Sequence, residues 1–454
     1  MTLDPKLIHQ SFALVEDSAE KVTGHFYALL FLEDPTLRDM FPPMMDTQRD
    51  RLLSALVQVV HHAHEPHTLV DYLQQLGRDH RKFGVRPEHY DTVGRCLIAA
   101  MKRFARPGWT AEMDAAWGAA FQLIAGTMIG AAQEAAKTTP ASWTGRVVEH
   151  RRPTASLAVF TVEPDQPYPF KAGQYAAIET LRWPRIWRQY SFANAPRADG
   201  LLTFHVRAVG GGWVSSALVN HLRVGDTVRL GPAVGNLRCD SSSMADVLMV
   251  GGGTGIAPLM AIVEDMGRWN TSRRVSFFYG VRKSTDLYAL RALEHLRDRC
   301  PWLRIVPCVS HEQGYRGEQG MLPDVLTRHG SEWADWAGHD VLLSGSAPMM
   351  RATLARLVEL NVPSARIKFD AFSEQTDIYL GLKKMEREER PSPARKVLTS
   401  GPGDQPLQQA PERLPERHPG RRNQASKSSA TSSEVGSDWQ VSTNPSIFSS
   451  GSRA

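Results

Sequence analysis

The sequence predicts a multidomain chain: an all-α domain, then a small antiparallel β-barrel, then an α/β domain with a parallel sheet, and last a disordered tail. Three observations carry this reading. The 454 residues are about three times the length of a typical single domain. The hydropathy pattern changes period twice, near residues 138 and 244. Aliphatic periodicity then disappears in the last seventy residues, from Met385 onward. Hydrophobic residues at 42%, charged residues at 22% and aromatics at 8% place the bulk of the chain among globular proteins rather than fibrous or disordered ones.

Residues 1–137 read as helix after helix without strand-like alternation, and Pro35, Pro42, Pro43, Pro66, Pro87 and Pro107 fall at the expected breaks. In 138–243, β-branched runs at Gly145 to Glu149, Leu157 to Val162, Leu201 to Val209 and Thr227 to Leu230 are separated by Pro and Gly, as in a small barrel. In 244–384, apolar strands at Val247 to Val250, Val275 to Tyr279, Leu303 to Val309 and Asp340 to Leu343 alternate with helical stretches, the pattern of a parallel sheet. Residues 385–454 are rich in Ser, Pro, Arg, Gln and Gly, cannot bury enough apolar surface to offset chain entropy, and are expected to be disordered.

The net charge of +5 is small, and the first 380 residues hold no basic cluster, so no nucleic-acid partner is expected. Met1 to Glu20 carries Asp4, Lys6, Asp17 and Glu20 and does not read as a secretory signal. The most apolar run, Ala119 to Ala132, is interrupted by Gln122 and reads as too short to span a bilayer, so no membrane anchor is expected. Cys96, Cys239, Cys300 and Cys308 form neither a disulfide framework nor an iron–sulfur spacing, and a cytoplasmic monomer is the expectation.

Eight of the sixteen histidines lie in the helical domain. His80 falls on the stripe Leu69, Leu73, Leu76, His80, with Phe83 following, so its ring points inward. Taken alone, such a residue reads as a core histidine bonded to a carbonyl. Its context adds a polar Tyr27 in one helix, Phe41 before Pro42 and Pro43, and Gln48 opening the next helix. An aromatic wedge, two polar groups and a histidine are what a haem pocket requires. The cluster His61, His62, His64 and His67 reads as surface or loop, since no cysteine or convergent carboxylates accompany it.

At His25-Phe26-Tyr27, Phe31, Asp39-Met40-Phe41, Gln48-Arg49, His80-Arg81-Lys82-Phe83, Pro87-Glu88-His89-Tyr90 and Ala116-Trp117-Gly118 the sequence resembles the globin domain of flavohaemoglobins. The resemblance implies a haem b with His80 as the proximal iron ligand, Tyr27 and Gln48 as the distal polar pair, Phe41 against the macrocycle and Leu52 shielding the ligand. It further implies a hydrogen bond from Tyr90 to the proximal imidazole. The family's relay glutamate has no counterpart: Ala132 stands at its position, and Glu134 lies two residues on, about 200° around the helix.

Arg188-Gln189-Tyr190-Ser191, Gly173-Gln174-Tyr175 and the glycine run Gly210-Gly211-Gly212 leading into a helix resemble the FAD domain of the ferredoxin–NADP⁺ reductase superfamily. That resemblance implies Arg188 on the FAD phosphates, Tyr190 on the isoalloxazine, Ser191 near its reactive nitrogen, and Gly212, Val214 and Ser215 around the pyrophosphate. Gly253, Thr254, Gly255, Ile256, Ala257 and Pro258 follow a strand and open a helix with no lysine after them, which favours a pyridine dinucleotide over a nucleoside triphosphate. Phe372 matches the terminal aromatic that covers the flavin, and Ser344 replaces a more usual cysteine. Arg282 and Lys283 stand where a 2′-phosphate would be read, leaving NADH and NADPH both open. The order of modules implies a nitric oxide dioxygenase fed by NAD(P)H through FAD, with dioxygen and nitric oxide as gaseous substrates. A haem-based redox sensor, or a flavin reductase using the globin as an oxygen store, are the competing classes.

Overall fold

The structure is a computed structural model that describes residues 4–332 and 336–371. Phe372 and the segment 385–454 lie outside the described residues. The first module consists of α1 (Pro5–Ala13), α2 (Ala19–Glu33), α3 (Asp46–His61), α4 (Pro66–His80), α5 (Pro87–Ala105) and α6 (Ala111–Ala136). Proline opens α1, α4 and α5, where its missing N–H costs nothing and its fixed φ suits the first turn. The Asp4 and Thr110 side chains cap the free N–H groups at the starts of α1 and α6.

The core of these helices is built on Trp117, whose Nε1 donates to Ser11 Oγ at 2.7 Å, with Phe26, Leu30, Leu73 and Met101 around it. Gly77 brings α4 against α6: a Cβ there would lie 2.3 Å from the Met128 carbonyl oxygen. The closeness of this crossing holds His80, one turn further along α4, in a fixed place.

The run read as too short to span a bilayer belongs to a longer helix than expected. α6 is continuous over 26 residues, long and apolar enough by length and composition to cross a membrane. Gln122 does not interrupt it, because a single polar residue on the outer face leaves the backbone ladder intact. In the fold, its inner face gives Trp117, Ala120, Phe121, Ala125 and Met128 to the core.

The second module is a six-stranded antiparallel sheet: β1 (Trp143–Thr154), β2 (Leu157–Pro164), β3 (Tyr175–Thr180), β4 (Arg188–Ser191), β5 (Leu202–Arg207) and β6 (Thr227–Leu230), in the order β4-β3-β6-β1-β2-β5. A bridge between Phe192 and Phe204 nearly closes it into a barrel. β1 runs well past the expected Gly145–Glu149 stretch because two register shifts against β2 bend it and keep it paired. β3 was not anticipated from the sequence; Tyr-Ala-Ala-Ile-Glu-Thr has no alternation, since nearly all of it is buried. The helix α7 (Trp213–Asn220) follows β5.

The third module is a parallel sheet of β7 (Val247–Gly252), β8 (Val275–Val281), β9 (Leu303–Val309), β10 (Glu318–Gln319), β11 (Asp340–Gly345) and β12 (Ile367–Ala371), ordered β10-β9-β8-β7-β11-β12. The helices α8 (Ile256–Met266), α9 (Leu290–Arg299), α10 (Leu322–Glu332) and α11 (Ala347–Glu359) connect its strands. The chain builds outward from β7 to β9 and then returns to β11 on β7's other side, so the strand order reverses there. Ligands of such sheets bind outside the carboxyl ends of the strands at that reversal, where Gly253 to Gly255 and Ser344 to Gly345 meet.

Candidate functional site

His80 closes α4, and its Nδ1 donates to the Leu76 carbonyl at 2.8 Å. This bond fixes the tautomer, so Nε2 carries the lone pair and is the atom free to ligate a metal. Withdrawal from water holds the ring below the ordinary histidine range and keeps it neutral. One ring nitrogen is satisfied by a carbonyl, as a core histidine's would be, and the other makes no hydrogen bond among the described residues.

Tyr27 on α2, Phe41 before α3, and Gln48 and Leu52 on α3 come together. The Tyr27 ring lies 5.5 Å from Phe41 and 5.9 Å from Phe31. Its hydroxyl points at the Gln48 backbone carbonyl across a long 3.5 Å. Burial pushes the hydroxyl up to about 12, against a smaller pull from the Gln48 side chain. The group stays protonated far above neutral pH and keeps a proton to donate.

Between α3 and α4 opens a cavity of about 410 Å³, with Arg51 and Ser54 on one wall and Tyr72 on the other. Tyr72, Leu76 and His80 follow at intervals of four and share one helical face. A slot between two helices, a neutral histidine with a free Nε2 and a protonated buried tyrosine fit a haem.

Tyr90 departs from the expectation placed on it. Among the described residues no hydrogen bond joins it to His80, because the Leu76 carbonyl already takes the Nδ1 proton. Tyr90 is buried on α5, and that burial pushes its hydroxyl up to about 12. Glu134 is exposed and ion-paired with Lys137 at 2.5 Å, so it faces away from this side of the pocket. The histidines read as surface or loop stand instead at the end of α3, in the helical turn after it and at the start of α4; His62 is buried against Gln58 and Glu65, and His64 stacks on His9 at 5.0 Å. Among the described residues, no group of three or more His, Cys, Asp or Glu is arranged to hold a metal ion.

Sequence reasoning missed what joins the globin helices to the barrel. The Phe83 ring lies 5.9 Å from His80 and 6.3 Å from Trp187, the residue before Arg188 on β4. Lys82 is buried in this seam, ion-paired with Asp79, with its ammonium 5.5 Å over Trp187. On the barrel side, the Arg229 guanidinium lies 5.1 Å over the same ring. Lys82 follows two residues after the histidine, in the run Asp79-His80-Arg81-Lys82-Phe83, and nothing in so charged a run signals its burial.

In the barrel, Arg188 and Gln189 are exposed on β4, Tyr190 is half-buried and Ser191 is buried. β4 pairs with β3 so that Tyr175 faces Ser191. The Ser191 Oγ is buried with no hydrogen-bond partner, an orphan that a ligand atom would satisfy. Gly211 has φ +72°, and Gly212 leads into α7 with no side-chain cap. The N–H groups of the first turn, including Val214 and Ser215, are thus left for an anion. Ser215 Oγ instead holds the loop, donating to the Gly212 carbonyl at 3.2 Å. An unsatisfied hydroxyl beside a bare helix start fits a flavin dinucleotide.

At the reversal of the parallel sheet, Gly253 has φ +57° and Thr254 and Gly255 pass closely over β11. A Cβ on Gly255 would lie 2.6 Å from Ser344 O and from Gly345 Cα. Ile256, Ala257 and Pro258 are buried in the first turn of α8. Ser344 sits opposite Gly251 with its hydroxyl buried and unpartnered. Arg282 and Lys283 are exposed beyond β8, beside Glu312, which accepts from the Ser284 N–H and hydroxyl. The barrel and this sheet are tied by Ala195 N–H to Glu264 at 2.7 Å, by His205 Nδ1 and the Tyr288 hydroxyl at 2.9 Å, and by Arg207 with Asp286.

Comparison with known proteins agrees with this architecture. Residues 24–128 match the globin family, 146–238 the oxidoreductase FAD-binding domain and 249–355 the oxidoreductase NAD-binding domain. The chain is 26% identical over 396 residues to a flavohemoprotein of Rhizobium meliloti, covering 81% of this chain and 95% of that one. It is likewise 26% identical over 394 residues to a flavohemoprotein of Bordetella pertussis, covering 81% and 96%. A crystal structure of flavohemoglobin from Malassezia yamatoensis with bound FAD and heme shares its fold, with a TM-score of 0.69 at 19% identity, covering 82% of this chain and 99% of that one.

Proposed function

We propose that this chain, which has the globin, FAD-binding and NAD-binding domains of the flavohaemoproteins in their order, is a nitric oxide dioxygenase: an NAD(P)H-dependent oxidoreductase that turns nitric oxide and dioxygen into nitrate. The observation that carries this reading is the coupling of two sites in one fold. A histidine whose Nε2 makes no hydrogen bond among the described residues closes one helix, a protonated buried tyrosine stands on another, and two ring contacts lead from that histidine to Trp187, just before β4. When bound, the flavin accepts a hydride and releases electrons singly, and the haem supplies the one-electron iron at which the two gases react.

The residues divide the remaining work. His80 anchors the metal from the proximal side. Tyr27 holds its proton at the hydroxyl and presents it to the distal side, with Gln48 beside it, where a ligand gathering negative charge is stabilised. Phe41 and Leu52 exclude water. Arg188, Tyr190 and Ser191 orient the flavin, with Gly212, Val214 and Ser215 at its pyrophosphate. Gly253 to Pro258 seat the nicotinamide dinucleotide over β11, and Trp187 and Phe83 fill the interval between barrel and globin.

The decisive experiment is anaerobic reduction with NADH or NADPH, following flavin and haem absorbance together, then mixing with dioxygen and nitric oxide. Fast haem reduction followed by nitrate formation is expected. A reduced protein that binds both gases yet consumes NAD(P)H slowly in the presence of nitric oxide would be a sensor. One that reduces added acceptors faster than its own haem would be a reductase.

Two further outcomes are expected. Because Tyr27 stays protonated beyond pH 10.0, its hydrogen bond operates across the neutral range. Tyr27→Phe should speed dioxygen loss from the reduced protein by about tenfold or more, the worth of one bond to a charged acceptor. Stopped-flow displacement by carbon monoxide measures this, and an unchanged rate removes Tyr27 from the distal site. Replacing both Arg282 and Lys283 by Ala should raise the KM for NADPH by about tenfold, the loss of charge-assisted bonds to a 2′-phosphate, with little change for NADH. Equal effects on both coenzymes would place the 2′-position elsewhere.

A further inference from the structure

The face that β5 turns away from the barrel core carries Thr203, His205 and Arg207, while Leu202, Phe204 and Val206 point inward. Polar residues on such a face ordinarily meet water. Here the third module covers His205. Its Nδ1 lies 2.9 Å from the Tyr288 hydroxyl, with the two rings edge to face at 5.4 Å. Withdrawal from water, with the charge of Arg151 adding to it, brings the imidazole down to about 3. Burial holds the Tyr288 hydroxyl well above the usual tyrosine range. Around neutral pH the ring is therefore uncharged and the hydroxyl protonated, so the hydroxyl donates and Nδ1 accepts.

Each partner stands at the root of a cofactor loop. β5 ends at Arg207 and runs into Gly210 to Gly212, where the Val209 N–H donates to Ser215 Oγ at 3.3 Å beside the uncapped start of α7. Tyr288 follows Arg282 and Lys283, just past β8. Between them, the Asp286 and Leu287 N–H groups donate to the Lys283 and Ser284 carbonyls at 2.9 and 3.0 Å and wind the segment into a turn. Two more contacts bind that turn: the Tyr279 hydroxyl donates to the Asp286 carbonyl at 3.1 Å, and Arg207 reaches the Asp286 carboxylate at 3.4 Å. Tyr279 in turn pairs with Gly251 on β7, next to the Gly253 to Gly255 loop. A line of contacts thus runs from the flavin turn through His205 and Tyr288 to both dinucleotide loops. In that line the Arg207 ion pair is partly solvated and screened, whereas the bond between His205 and Tyr288 is withdrawn from water and directional.

We propose that His205 and Tyr288 are a positioning pair for hydride transfer: their bond locks the turn after β8 against β5, so that the nicotinamide dinucleotide is held in register with the flavin turn. This inference rests on the flavin and dinucleotide sites proposed above. Neither side chain belongs to the residues offered to either cofactor, so the pair acts through the backbone it fixes. A reacting group misplaced by about 1 Å can lose about a hundredfold in rate, and freeing one of several ties should cost about tenfold. Coenzyme binding rests on other residues and should hold.

The test compares the full FAD-loaded chain with Tyr288→Phe, His205→Leu, the double variant, and His205→Asn, which keeps an acceptor close to the place of Nδ1. Stopped-flow flavin reduction over a range of NADH and of NADPH concentrations gives a limiting rate and a Kd. Tyr288→Phe and His205→Leu should each slow the limiting rate by about tenfold with Kd within about twofold, and the double variant should be no slower than either. His205→Asn should recover part of the loss. Without coenzyme, the Asp286 and Leu287 amides should exchange hydrogen about tenfold faster in Tyr288→Phe, the loss of one covered bond. FAD content and reduction by dithionite should not change. The proposal is overturned if Tyr288→Phe keeps either the limiting rate or the amide exchange of the unaltered chain, or if the losses of the two single variants add. It is overturned equally if Kd rises while the limiting rate holds, which would make the pair part of the binding surface. Should His205→Leu fail to fold, Tyr288→Phe, which loses one oxygen atom, and His205→Asn carry the same comparison. An unaltered chain that holds FAD yet is reduced by neither coenzyme would instead overturn the reading of the dinucleotide site, and this proposal with it.

Discussion

His80→Ala is expected to leave a protein that holds FAD and reduces artificial acceptors with NAD(P)H but no longer retains haem. The Nε2 atom is the coordinating group that the fold offers from the proximal helix, and its tautomer is set by the Nδ1 bond to Leu76. Losing an outer hydrogen-bond partner of a metal ligand commonly costs about 10–100-fold in metal affinity; losing the ligand itself should cost more than that. The residues proposed to hold the flavin lie on β3, β4 and α7, in a module with a hydrophobic cluster of its own that includes Trp143, Phe160 and Phe204. The haem-to-flavin absorbance ratio after purification, with the rate of ferricyanide reduction by NADH, measures both halves. A variant with an unaltered five-coordinate ferrous spectrum would falsify the ligand assignment.

The same bond bears on the proximal relay. Were Tyr90 bonded to His80, an acid at position 132 could act through it. With Nδ1 given to Leu76, and Glu134 turned outward to Lys137, no such chain forms among the described residues. The basicity of the proposed iron ligand is then set by one backbone carbonyl, a weaker hydrogen-bond acceptor than a carboxylate. The absence of an acid could be read from the sequence at Ala132. That the tyrosine was also unbonded could not, since it depends on which acceptor wins one proton.

What the sequence made legible follows from local physics. Prolines at helix starts and the apolar strands of the parallel sheet are local signals, and the strand Leu303–Val309 was read with its observed limits. β3 escapes a reading by alternation because burial on both faces removes it, and the apolar run Ala119 to Ala132 does not show by itself the 26-residue helix it belongs to. The site was legible where a motif is contiguous, as at Arg188 to Ser191 or Gly253 to Pro258. It was illegible where tertiary packing makes it. Trp187 meets Phe83 across about a hundred residues of sequence.

The loop proposed to carry the dinucleotide allows a sharper test, because two glycines two residues apart are required for different reasons. Gly253 has φ +57° with open space where a Cβ would stand. An alanine there meets only the backbone penalty of the left-handed region, about 1–2 kcal/mol. Gly255 has an ordinary φ of −63°, but its Cβ would come within 2.7 Å of Gly345 N and 2.6 Å of Ser344 O. Those are backbone atoms of β11, held in register with β7 and β12, and they cannot swing aside as a side chain could. In Gly255→Ala the loop must lift instead, carrying the start of α8 away from the strand ends. A displacement of about 1 Å at a reacting group can cost about a hundredfold in rate. Gly255→Ala should therefore slow flavin reduction by NAD(P)H by about that factor, while dithionite still reduces flavin and haem, and Gly253→Ala should lose much less. Stopped-flow flavin bleaching under anaerobic conditions separates the two. If Gly253→Ala proves the more damaging, the loop's conformation matters more than its contact with β11, and the dinucleotide rests on Gly253 rather than over Ser344.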